Sequence, residues 1–166
     1  HLIDGRCLLI TSAMNIVGDQ GVPKSEIVVV GGIFFDKGIQ GNCHLQHMTL
    51  RQAKKNGVTA TSPFTMEDVL VEQCGWHGVE AYGKFGVGRC TNVEVRQCGF
   101  SGVSVSYYGS ITLIGAKTTV HHNCTIGRRD STTGRHEDYG LKVKQCSSAT
   151  IQLVSPLTKE QVSLDN

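Results

Sequence analysis

The residues best equipped for chemistry lie close together in one polar stretch, 125–138, where Arg128, Arg129, Asp130, Arg135, His136, Glu137 and Asp138 are followed at once by Tyr139. Guanidinium groups grip anions, and carboxylates beside a histidine supply general acids and bases, so the stretch holds the types needed for a ligand surface or a catalytic centre. A solvated loop accounts for the same composition. Asp68, Glu72, Glu80 and Glu94 are further carboxylates. Glycoside chemistry needs two acids at a set separation, which their spacing does not define, and charge alternation on a surface explains them equally.

Trp76, Phe100, Tyr107 and Tyr108 offer flat apolar rings for a sugar face or a protein partner, or for packing at bends. His121 and His122 precede Cys124, but adjacent strand residues face opposite ways and do not converge on one ion. His44, His47 and His77 read as surface or turn histidines. Seven cysteines without a CxxC pair leave at least one unpaired within a monomer. No nucleotide-binding glycine loop, Gly-x-Ser-x-Gly elbow or His-Glu-x-x-His motif occurs, so neither a metal nor a cofactor is expected.

These side chains need elements to hold them, and a repeat supplies the elements. The segments 48–60, 69–81 and 93–105 align without a gap as apolar-x-apolar-charged-Gln-small-x-x-x-Gly-Val-x-apolar. Leu141-Lys-Val-Lys-Gln-Cys146 repeats the first half, and Thr119-Val-His-His-Asn-Cys124 is a weaker copy in which His121 falls on an apolar slot. Within each unit apolar residues alternate with period two, the mark of short strands with one buried face, and glycine interrupts any helical run. Period and pattern predict a coiled β-solenoid of about six or seven coils, with equivalent residues stacked at about 4.8 Å.

On that reading Ala53, Cys74, Cys98, Cys124 and Cys146 form an inward column of small residues. Gln52, Gln73, Gln97, Asn123 and Gln145 form an amide column beside it, whose donors and acceptors can satisfy one another along the axis. Arg51, Glu72, Arg96, His122 and Lys144 form a charged column. The 20 glycines are expected to mark recurrent bends. The whole chain, 1–166, is read as one all-β domain with a polar insertion at 125–138. A first residue other than Met is compatible with a piece of a longer protein.

The unit Val93-Glu-Val-Arg-Gln-Cys-Gly-Phe-Ser-Gly-Val-Ser-Val105 resembles coils of the right-handed parallel β-helix family, the pectate-lyase-like group, most strongly over residues 43–154. The resemblance implies a single-stranded helix with three short strands per coil. It also implies a lateral face suited to elongated polymers, as in carbohydrate-processing proteins, viral fibres and noncatalytic repeat domains. Fold does not transmit catalysis, and no catalytic motif carries over residue by residue.

The expected function is therefore a noncatalytic scaffold for carbohydrate binding or protein assembly. A polysaccharide lyase, hydrolase or epimerase acting along a lateral face is the alternative. Candidate contacts are Trp76, the charged residues of the insertion and Tyr139. A polysaccharide, a protein or another copy, joined end to end or laterally, is the expected partner. A net charge of +2 and one local arginine patch give no footprint for nucleic acid, and no apolar run suits a membrane span. Localisation is left open.

Overall fold

Alternation of apolar and polar residues takes one side of each short strand out of water, and stacking of successive coils pairs the strand edges. The computed structural model describes residues 2–3, 7–127, 138–144 and 148–166, and in them the chain winds as a parallel β-helix with three faces. Face A stacks Cys7–Ile10, Gly32–Phe35, Val58–Ala60, Val79–Tyr82, Val103–Ser106 and Leu141–Lys144. Face B stacks Asn15–Val17, 43–46, 64–67, Val87–Thr91, Ser110–Ile114 and Thr150–Leu153. Face C stacks Val28–Val30, 48–51, 69–72, Glu94–Arg96, Thr119–His121 and Ser163–Leu164. All of these pairings are parallel, and about five turns separate the first strand of a face from its last.

The core is made of inward columns. Val58, Val79 and Val103 stack on one another, as do Leu50, Val71, Val95 and Val120, all buried. Each such side chain contributes about 1.5–3 kcal/mol of apolar burial. At one end Leu2–Ile3 turns back antiparallel onto Cys7–Ile10. At the other, the helical turn Lys159–Val162 buries Val162 over the core before Ser163–Leu164 joins face C. Among the described residues no helix is long and apolar enough to cross a membrane.

Glycines lie at bends as expected, among them Gly31, Gly57, Gly78, Gly83, Gly102 and Gly115, but they share the bends with polar residues. Between faces B and C the chain turns on His47, Asp68 and Asn92, with φ of 53°, 50° and 51°. Between faces C and A it turns on Gly31, with φ of 121°, and then on Gln52, Gln73, Gln97 and His122, with φ from 52° to 58°. Left-handed backbone is thus carried mainly by polar non-glycine residues, held there by hydrogen bonds from coil to coil such as Gln52 N to Glu72 O at 3.2 Å. The repeated glycines do another job. A Cβ on Gly57, Gly78 or Gly102 would meet Cγ1 of Val71, Val95 or Val120 at 2.5, 2.2 and 2.3 Å, so these glycines allow close packing against the core.

Candidate functional site

At the corner between faces C and A, Ala53, Cys74 and Cys98 are buried in one column. The fourth place departs from the expected register. Glu94 pairs with Thr119 and Arg96 with His121, so Asn123, not Cys124, stands over Cys98, and His122, not Asn123, stands over Gln97. His121 likewise takes the place in the charged column expected of His122. Asn123 suits the buried place because its amide is fully used there. Oδ1 accepts from Cys98 N at 3.1 Å, while Nδ2 donates to Val95 O at 3.1 Å and His121 O at 3.0 Å. Gln52, Gln73 and Gln97 are exposed, and Gln73 Nε2 donates to Gln97 Oε1 at 3.4 Å. Gln145 and Cys146 lie outside the described residues.

Cys43, Cys74, Cys90, Cys98 and Cys124 are free thiols. Cys74 and Cys98 donate to the carbonyls two residues back, Glu72 O and Arg96 O, at 3.6 and 3.4 Å. Burial pushes the Cys90 thiol up to about 12, and burial followed by the Asp138 charge pushes Cys124 up to about 11. Thiols so raised are poor nucleophiles.

Three of the four carboxylates Asp68, Glu72, Glu80 and Glu94 are committed to structure. Glu72 is 3% exposed and joins two coils, with Oε1 2.6 Å from Arg51 Nε and Oε2 2.8 Å from Arg96 Nη2. Burial raises its affinity for a proton, but the hydrogen bonds from Arg96 and Arg51 outweigh that and hold it below the usual range. Glu94 accepts from Arg96 Nη1 at 2.9 Å and lies 3.2 Å from His121 Nε2. Asp68 is clamped by Lys24 Nζ at 2.7 Å and His47 Nδ1 at 2.6 Å.

Glu80 is different. It lies on the outer side of face A, where Asn56 Nδ2 donates to its Oε2 at 2.7 Å, and burial raises its pKa against the opposing charges of Lys144 and Lys142. Beside it a polar chain crosses four coils. His77 N donates to Asn56 Oδ1 at 3.0 Å, Ser101 N to His77 Nδ1 at 3.1 Å, and Ser101 Oγ to Asp138 Oδ1 at 3.4 Å. Lys142 Nζ lies 3.0 Å from the same Asp138 oxygen. Asp138 is therefore a buried structural partner rather than a loop surface group, because its carboxylate closes this chain. Tyr139 is exposed, while Arg128, Arg129, Asp130, Arg135, His136 and Glu137 lie outside the described residues.

Trp76 is half exposed and lies parallel to Phe100, with centroids 6.0 Å apart and planes 17° apart. Lys55 Nζ sits 5.6 Å from the indole centroid, and His77 packs edge-on to Phe100 at 5.5 Å. The partners of Trp76 lie within its own stack of coils. Through Phe100 and His77 it adjoins the polar chain that runs beside Glu80.

A second aromatic group stands at the corner between faces A and B. Tyr82, Phe85, Tyr107 and Tyr108 are 43%, 58%, 51% and 54% exposed, and the Tyr82 and Tyr107 rings are 4.8 Å apart. Tyr107 and Tyr108 adopt φ of 50° and 71°, an arrangement that costs about 1–2 kcal/mol per residue and turns two large rings into solvent.

Next to this row the turns differ in length. The turn 61–63 is short, whereas 36–42 before it and 83–86 after it are longer. The short turn leaves a notch of about 660 Å³ lined by Ile39, Gln40, Asn42, Ser62, Pro63 and Phe85. Sequence reading singled out Tyr107 and Tyr108 but missed Tyr82, Phe85 and Ser62. Their signal is the unequal spacing between strands, which shows only once the coils are in register. Comparison with protein-family models, with curated proteins and with solved structures gives no match.

Proposed function

We propose that this chain is a noncatalytic β-helical scaffold that binds an elongated carbohydrate along the corner carrying Tyr82, Phe85, Tyr107 and Tyr108. The observation that carries the proposal is the exposure of these four rings on consecutive coils. Large apolar rings left in water, two of them on strained backbone, are retained for a contact, and rings on two adjacent coils about 4.8 Å apart offer neighbouring platforms to a chain laid across the corner. The likeness of the repeat to pectate-lyase-like coils supports the same reading. Affinity electrophoresis against a panel of soluble polysaccharides tests it. At least one polymer is expected to retard the protein, and Tyr82→Ala with Tyr107→Ala to weaken that retardation about tenfold, or 1.4 kcal/mol. Retardation by none, together with concentration-dependent self-association abolished by the same substitutions, would favour assembly instead.

One observation favours a second reading, a polysaccharide-processing enzyme. Burial raises the pKa of Glu80 on the same face where Asp138 is paired with Lys142, so two carboxyl groups stand in different surroundings. Glycan turnover that is lost in Glu80→Gln, with binding unchanged, would establish it.

A further inference from the structure

The notch beside the aromatic row has a property the row lacks. Its floor is Ser62, whose residue is 1% exposed and whose Oγ has no hydrogen-bond partner among the described residues. A buried hydroxyl without a partner is costly, and such groups are retained where something other than folding uses them. Phe85 forms part of the wall with its ring 58% exposed, and Lys84 Nζ lies 4.8 Å from the ring centroid. Ile39 and Pro63 add apolar surface, and the polar edge is supplied by Gln40, Asn42 and the backbone of the glycine turn.

The walls come from coils two steps apart, about 9.6 Å between backbone centres, which leaves room for one ring and not for a folded peptide. From this we propose that the notch is a single-ring sugar subsite continuing the aromatic row, an inference that rests on reading that corner as a carbohydrate site. The apolar face of a pyranose lies against Phe85, and one of its hydroxyls pairs with Ser62 Oγ. No hydrogen bond holds the serine hydroxyl, so a turn of χ1 toward the ligand breaks none. A purely apolar ligand would leave the hydroxyl as unpaired as before, which is why a sugar fits better than an aliphatic chain.

The test separates the notch from the row. Methyl glycosides of glucose, galactose, mannose and N-acetylglucosamine are titrated to about 50 mM, a range that reads millimolar binding, while the backbone amides are followed by NMR. At least one glycoside is expected to shift the amides of Ile39, Gln40, Ser62 and Phe85. Phe85→Ala should weaken that binding at least tenfold and Ser62→Ala about fivefold. Ser62→Ala should also raise Tm, because it removes a buried hydroxyl with no partner, so weaker binding cannot be ascribed to a damaged fold. Glycoside binding unaffected by either substitution, or shifts confined to other surfaces, would overturn the subsite. If polymer retardation is meanwhile lost in Tyr82→Ala and Tyr107→Ala, the reading of the row stands without the notch. Glycoside binding at the notch with no polymer retained would sink the row and leave the subsite. A chain that binds none of these probes overturns both.

Discussion

Asn123 stands in the coil next to Cys98 and accepts the Cys98 amide proton on Oδ1 at 3.1 Å, while its Nδ2 reaches Val95 O in the same neighbouring coil. One side chain thus replaces two backbone partners where the strand Thr119–His121 ends. Asn123 is also held from the other side, where Asn166 Oδ1 accepts from its Nδ2 at 2.9 Å. Asn123→Ala strands the buried Cys98 N–H and removes a bond to Val95 O, and should cost about 1–3 kcal/mol in urea unfolding. Asn123→Cys, which restores the residue type of the two preceding coils, should cost nearly as much because a thiol does not bridge both groups. An unchanged unfolding midpoint in either variant would contradict this role.

His47 carries a pH dependence. Its Nε2 faces Val22 O at 2.9 Å and its Nδ1 faces Asp68 at 2.6 Å, so both ring nitrogens meet acceptors and the imidazolium is the form that satisfies both. The bond to the Val22 carbonyl, then that to Asp68, raises its pKa above 6.5, with Lys24 opposing. A raised folded-state pKa means that the contribution is fully present below about 6.5 and is lost as pH rises through the folded value. The turn containing Val22 should therefore exchange its amides faster above that value than below it. In His47→Gln the pH dependence of this exchange should disappear, and its persistence there would refute the clamp.

The repeated glycines make a contrasting pair of substitutions. A Cβ on Gly78 would lie 2.2 Å from Val95 Cγ1 and 2.7 Å from Gly102 O, against both side chain and backbone of the next coil. Gly78→Ala should destabilise by about 3 kcal/mol or more, since backbone as well as side chain must give way. Gly83 has φ of 76° and open space around it, so Gly83→Ala should cost only about 1 kcal/mol of backbone strain. Equal losses measured by thermal unfolding would show that the glycines serve conformation and not packing.

The period was legible because each coil repeats apolar-x-apolar and a Gly-Val pair, and backbone pairing enforces that spacing. The slip at 119–124 was signalled by His121 on an apolar slot, which allows a shifted register or a distorted unit, but the choice between them was not legible. Cys124 matches Cys98 by type, whereas the strand pairs so that an asparagine fills the small place, and only its hydrogen bonds explain why a larger polar residue is accepted. Glycine count suggested bends, and Gly31, Gly83 and Gly115 do make them, but the share taken by Gln73, Gln97 and His122 was not visible. Of the candidate contacts, Trp76 and Tyr139 are exposed and Asp138 is buried, a difference set by Ser101 and Lys142 from neighbouring strands and turns. The notch was invisible in the sequence because it is made by the difference between turns of separate coils.

The central claim is that the corner bearing Tyr82 and Tyr107 holds an extended glycan. Its most direct measurement is amide and side-chain NMR mapping of the protein with increasing lengths of an oligosaccharide derived from a retained polymer. The account predicts shifts at Tyr82, Phe85, Tyr107 and Tyr108, with affinity rising as the oligosaccharide grows to span successive coils. Shifts centred on Trp76 and Phe100, or affinity independent of length, would contradict it.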